Sequence, residues 1–207
     1  MPPVLGVILA GGLSRRMGGG DKPLLTLGGR PLLDRVVERF TRQCPAGLIL
    51  NANGDPTRFA GFPGMIVRDD LPDHPGPLAG LLAALDHAAA HYPDIVAVAS
   101  VTGDAPFLPP DLVERLEAVR GSSGTEIAIA ASDGRAHFTI GLWPVALRVD
   151  LRRFLVTEGG RRVGAFLDRH AVSQVDWPAE PVDPFLNVNT PDDLARAERA
   201  LTRSADP

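Results

Sequence analysis

Lysine is almost absent from this 207-residue chain: of its 21 basic residues, 20 are Arg and one is Lys22. Cysteine is as scarce. Cys44 stands alone, which excludes an internal disulfide and a cysteine-based zinc site and leaves a small hydrophobe near a helix end. Long apolar runs are missing too. The N-terminal stretch Val4 to Ala10 is too short to span a bilayer. No basic residue precedes it and arginines follow it, the wrong polarity for a secretory signal, so the expected compartment is the cytoplasm. An excess of positive charge is also lacking. At a net charge of −4 the chain has no general attraction for nucleic acid or an anionic membrane, so an anionic ligand must be held by a local cluster of cations.

What is present is ordinary globular material with one unusual loop. The chain is 44% hydrophobic and 22% charged, with the length of a single domain over residues 1–207. Short apolar runs alternate with amphipathic stretches, and Gly or Pro marks the joins. Strands are predicted at Leu5 to Leu9, Leu48 to Leu50, Met65 to Val67, Ile95 to Val101, Ile127 to Ala131, Phe138 to Trp143, Val172 to Val175 and Leu186 to Val188. Helices are predicted at Pro31 to Gln43, Pro77 to His91, Asp111 to Arg120, Leu151 to Val156 and Val163 to Arg169. A last helix follows Thr190, with Pro191 at its first position and Asp193 capping in return. This alternation predicts an α/β fold, a three-layer Rossmann-like sandwich with a mainly parallel, partly mixed sheet between helices.

The first strand runs into Leu9-Ala10-Gly11-Gly12-Leu13-Ser14-Arg15-Arg16-Met17-Gly18-Gly19-Gly20-Asp21-Lys22-Pro23. In an open α/β sheet ligands bind beyond the carboxyl ends of the strands, where this loop emerges. Glycines let the backbone N–H groups approach an anion, and Arg15, Arg16 and Lys22 add full charges. A compact ammonium in a chain otherwise written in planar guanidinium suits a triphosphate. The loop is not a P-loop, since Pro23 stands where Ser or Thr is needed, and it holds no Gly-x-Gly-x-x-Gly.

Leu-Ala-Gly-Gly-Leu-Ser-Arg-Arg-Met-Gly ending in Asp-Lys resembles the signature loop of the molybdenum cofactor guanylyltransferases. The likeness runs from Leu9 to Leu194 with its motifs in order. It implies a magnesium-dependent nucleotidyltransferase that joins GMP from GTP to molybdopterin. Leu9, Ala10, Gly11 and Gly12 would contact the nucleotide, with Lys22 and Arg16 on the phosphates. Asp104, in Gly103-Asp104-Ala105-Pro106, inherits the Mg²⁺ site, where one carboxylate can share the ion with water and phosphate oxygens. Asn51 and Asp69, each at a strand end, inherit nucleotide binding. The Arg161-Arg162 pair and the amides Asn187 and Asn189, in Asn187-Val188-Asn189-Thr190-Pro191, are candidates for the pterin substrate, Asn189 alternatively for metal or phosphate. His74, in His74-Pro75-Gly76-Pro77-Leu78-Ala79-Gly80, reads as a solvated loop residue, since an anionic phosphate acceptor needs no base. The resemblance also implies passing contacts with cofactor-biosynthesis proteins and acceptor molybdoenzymes.

Three other readings compete. The cytidylyl relatives carry Leu-Ala-Ala-Gly and Asp-x-Asp-Thr-Pro, where this chain has Gly11, Asn187 and Asn189. Sugar-phosphate nucleotidyltransferases carry Gly-Thr-Arg in the loop, against Ser14-Arg15-Arg16 here. A GTP-binding carrier of the finished cofactor would use the same loop without turnover.

Overall fold

The computed structural model describes residues 3–11, 22–71 and 76–203. In chain order the strands are β1 (Leu5–Leu9), β2 (Thr26–Leu27), β3 (Arg30–Pro31), β4 (Leu48–Asn51), β5 (Met65–Val67), β6 (Ala97–Thr102), β7 (Ile127–Ser132), β8 (Arg135–Pro144) and β9 (Val172–Trp177). The helices are α1 (Leu32–Thr41), α2 (Pro77–His91), α3 (Leu112–Ser123), α4 (Arg148–Arg152), α5 (Val163–Leu167) and α6 (Pro191–Arg203). Seven strands form one sheet in the order β5-β4-β1-β6-β8-β7-β9, with β8 antiparallel to both neighbours and the other pairings parallel. The expected three-layer, mainly parallel and partly mixed sheet is therefore present.

The apolar runs of the strands are continuous because both faces are covered. Along β1, Leu5 and Val7 point to the layer containing α2, α4 and α5, where they meet Leu78, Leu82, Leu85, Leu151 and Phe166. Val4 and Ile8 point the other way, onto Val36 and Phe40 of α1 and Leu112 and Leu116 of α3. The same alternation sorts β7, with Ile127 and Ile129 on the first face and Ala128 and Ala130 on the second. Cys44 is buried in the second layer, and burial pushes its thiol far above the ordinary range, so it packs as a hydrophobe.

Four elements differ from the sequence expectation. Leu186 to Val188 pairs with no strand; Val188 N–H instead donates to the Asp104 carbonyl at 2.9 Å, and its side chain packs with Leu27, Leu32 and Ala197. Strand β8 begins three residues before the expected Phe138, because Asp133 and Gly134 adopt positive φ (45° and 77°) and turn β7 tightly into it. The helix expected at Leu151 to Val156 starts earlier, as α4, and continues through a wider π turn at Arg153–Thr157. The short β2–β3 hairpin, closed by Gly28 and Gly29 at φ 55° and 74°, was not expected.

Thr190 caps α6 as expected. Its hydroxyl accepts from Asp193 N–H at 3.1 Å, while the Asp193 carboxylate accepts from the N–H groups of Asn189 and Thr190. The capped turn delivers Asn189 to the ligand edge of the sheet.

Candidate active site

Register puts Leu9, Asn51 and Thr102 side by side at the carboxyl ends of β1, β4 and β6. Beyond them opens a cleft of about 260 Å³. Its wall includes Leu9, Ala10, Gly11, Lys22, Asn51, Asp69, Thr102, Gly103 and Asp104, together with Gly76 and Pro77 at the start of α2. Seven of the residues expected to bind nucleotide or metal thus share one cavity. Gly12 and Arg16, with Arg15 and His74, lie outside the described residues.

Asn51 is only 2% exposed, and its amide donates to the Asp69 carboxylate at 2.8 Å and to the Val67 carbonyl at 3.2 Å. Asn53 completes the clamp. Its amide donates to the other Asp69 oxygen at 2.8 Å, while its own oxygen accepts from Asp69 N–H at 3.0 Å. Two amides thereby orient one carboxylate at the wall of the cleft. Gly80 makes this possible: a Cβ on it would sit 2.1 Å from the Asn51 amide oxygen. The family motif pointed to Asn51 and Asp69; Asn53 was visible only as the second amide of Asn51-Ala52-Asn53.

Across the cleft, a single 3₁₀ turn at Lys22–Leu24 holds the lone lysine, and Pro23 is buried beneath it. A Cβ on Gly103 would press within 3.1 Å of the Pro23 ring, so glycine there lets the two loops close. The Lys22 ammonium donates to the Asn189 amide oxygen. Asp104 feels this ammonium as well. Burial raises the Asp104 carboxyl above the usual carboxylate range, and the Thr102 hydroxyl and the Lys22 charge pull it only partly back. Thr102 also donates to the Asn187 amide oxygen at 3.0 Å. Asn187 and Asn189, expected at the pterin, are therefore each tied to a wall residue of the nucleotide cleft.

The arginine pair divides. Arg161 donates to the carbonyls of Leu155 and Gly160, at 3.0 and 2.7 Å, and so braces the loop before α5. Arg162 precedes α5 and lines a second groove, of about 400 Å³, together with Asn187 and Thr139. Thr139 also lines the nucleotide cleft, so the two spaces adjoin. Nothing in the sequence marked Thr139, because only the antiparallel insertion of β8 beside β6 brings a mid-strand residue to that edge.

The polar side chains in the cleft wall are Lys22, Asn51, Asp69, Thr102, Asp104 and Thr139, with no sulfur or imidazole among them. Among the described residues no three His, Cys, Asp or Glu gather as a metal cage. A buried carboxylate raised in pKa and facing open space fits a hard divalent cation that completes its shell with water and ligand oxygens.

A Gly-bearing loop with one ammonium, a carboxylate opposite and a separate carboxylate clamp at the switch of an α/β sheet define a nucleotide-handling transferase site. Residues 6–173 match the MobA-like NTP transferase domain, and the chain belongs to that family of nucleotidyltransferases. It is 52% identical over 199 residues to the molybdenum cofactor guanylyltransferase of Nitrobacter hamburgensis, covering 96% of this chain and 95% of that one. To the enzyme of the same name from Bradyrhizobium sp. it is 54% identical over 196 residues, covering 95% and 92%. Its fold matches that of molybdopterin-guanine dinucleotide biosynthesis protein A from Archaeoglobus fulgidus with a TM-score of 0.75, at 24% identity, over 97% of this chain and 100% of that one. No described helix is long and apolar enough to cross a membrane.

Proposed function

We propose that this chain transfers GMP from GTP to the terminal phosphate of molybdopterin, or of its molybdenum-loaded form, releasing pyrophosphate. A phosphate oxygen of the acceptor attacks the α-phosphorus of GTP. The new P–O bond forms as the bond to the bridging oxygen breaks, and pyrophosphate leaves with that electron pair. The observation that carries this reading is the cleft in which Lys22 and Asp104 face the Asn51–Asp69–Asn53 clamp. Its relatives' names supply the acceptor.

Guanine offers N1–H and N2–H₂ donors, and Asp69 is an oriented acceptor for them. Leu9, Ala10 and Gly11 line the cleft beside the nucleotide and Lys22 neutralises phosphate oxygens; the motif assigns Gly12 to the nucleotide and Arg16 to the phosphates. Mg²⁺, which Asp104 would hold, would supply further neutralisation of the triphosphate oxygens and of the departing pyrophosphate. Asn189 holds Lys22 at its station, and Asn187 steadies Thr102 beside Asp104. Of the four residues expected at the pterin, Arg162 and Asn187 line the adjoining groove and are its candidates there, while Arg161 braces the loop before α5 and Asn189 acts through Lys22. No protein nucleophile is required, because alignment and charge neutralisation serve a phosphate acceptor.

The test is pyrophosphate release from purified protein given GTP, Mg²⁺ and molybdopterin. Turnover that requires all three is expected. GTP binding without pyrophosphate release would instead favour a carrier.

A further inference from the structure

The second groove deepens that reading, on which this inference rests. Strand β8 pairs with β6 only from Pro144 to Gly141; residues 135–139 of β8 run on past the end of that ladder. The groove lies along this overhang. It begins at Thr139, which it shares with the nucleotide cleft, and ends at Arg135. Residues 135–137 still pair with β7, and residues 138–140 bulge out of that ladder between His137 and Gly141.

Its walls carry an unusual residue for a surface. Phe138 is 45% exposed, one of few large apolar side chains so placed in a chain with 5% aromatics. The residue before it, His137, is buried and committed elsewhere: its Nε2 pairs with the Ser132 hydroxyl at 2.7 Å and its ring stacks on Phe185 at 5.0 Å. The residue after it, Thr139, faces the nucleotide cleft. Phe138 therefore stands directly beside the point where the two ligands would meet. Gly164 of α5 lies near the ring edge, where a Cβ would make an ordinary contact at 3.7 Å. Arg162 and Arg135 line the same groove.

An exposed phenyl ring in a groove that also carries two guanidinium groups suits a heterocycle with an anionic arm: the heterocycle packs on the ring and a guanidinium pairs with phosphate oxygens. We infer that the overhang of β8 is the acceptor site, with Phe138 as the stacking face for the pterin and Arg162 and Arg135 as its anion partners. The acceptor's phosphate would then enter the nucleotide cleft at Thr139. Arg161 is not given a part: it lines neither space, and one of its nitrogens donates to the carbonyls of Leu155 and Gly160.

Steady-state kinetics of Phe138→Ala, Phe138→Trp and Arg162→Gln test this, with pyrophosphate release from GTP and molybdopterin as the readout. Phe138→Ala should raise KM for molybdopterin on the order of tenfold to a hundredfold, the usual effect of removing a stacking face. KM for GTP should stay within about twofold. Phe138→Trp should restore most of the loss, and its new indole fluorescence should be quenched by molybdopterin in the absence of GTP. Arg162→Gln should raise the same KM and leave that for GTP unchanged. Wild-type turnover combined with an unchanged molybdopterin KM in Phe138→Ala, or with no quenching in Phe138→Trp, overturns the acceptor site while leaving the reaction standing. An absence of wild-type turnover with molybdopterin overturns both.

Discussion

The two halves of the sheet prepare their sites differently. On the parallel half, β5-β4-β1-β6, almost every polar side chain at the ligand edge already has a protein partner: Asn51 and Asn53 with Asp69, Lys22 with Asn189, Thr102 with Asn187. On the β8-β7-β9 half the groove presents an exposed phenyl ring and guanidinium groups along a strand overhang. The first arrangement is pre-organised, so little rotamer freedom is lost when a nucleotide arrives. The second exposes apolar surface that a ligand can cover. The difference teaches which contacts should affect turnover and which should affect only one substrate's affinity.

The comparison breaks most visibly at Asp104. Asp104→Asn should reduce turnover roughly a hundredfold or more, as expected when a positioned electrostatic group is lost. The fold should not suffer. Because burial raises the folded carboxyl's pKa above its unfolded value, its ionisation costs stability progressively as pH rises from the unfolded pKa through the folded one. Without metal or nucleotide, the Asn variant should therefore melt at or above the wild-type temperature at pH 7. For the same reason the Asp104 carboxyl of the metal-free protein should titrate above the ordinary carboxylate range, read from carboxyl-selective NMR across pH.

Lys22 comes next. Lys22→Arg should fail nearly as badly as Lys22→Ala, by roughly ten- to a hundredfold in kcat/KM, since a planar guanidinium cannot take the ammonium's place between Asn189 and the phosphates. Wild-type kinetics for Lys22→Arg would reduce the single lysine to an accident of composition.

Gly80→Ala sharpens the guanine clamp without touching a ligand. The added methyl must displace the Asn51 amide, now 2.1 Å away, so KM for GTP should rise about tenfold with a stability loss of about 1–3 kcal/mol. Calorimetry alongside kinetics separates the two effects. Arg161→Gln should have the smallest effect: about 1 kcal/mol of stability from two lost hydrogen bonds, with both KM values unchanged.

Much of this was legible in the chain before its folding was known. The α2 boundaries, Pro77 and His91, follow from Pro-Leu-Ala-Gly at one end and the alanine run behind it. Motif spacing placed Leu9, Asn51, Asp69 and Asp104 at strand ends, and register gathers them. The failures have two physical sources, contacts distant in sequence and one local turn. Leu186 to Val188 is apolar enough for a strand, but it is held by the Asp104 carbonyl and the α6 core, contacts distant in sequence. The Asp133-Gly134 turn carried a hairpin signal that would have extended β8 to Arg135 and exposed the overhang. Phe138 looked like ordinary strand interior, because its exposure depends on where β6 stops.

The central claim is that the parallel half is built to hold GTP, and the most direct test is a thermal-shift comparison of GTP, CTP, ATP and UTP with Mg²⁺ at equal concentration. A ligand bound only by the folded form raises its stability with the logarithm of concentration over affinity. The account predicts the largest rise in melting temperature with GTP, and predicts that Asp69→Asn removes most of GTP's advantage. A larger rise with CTP, or an Asp69→Asn variant that still prefers GTP by the wild-type margin, would contradict it.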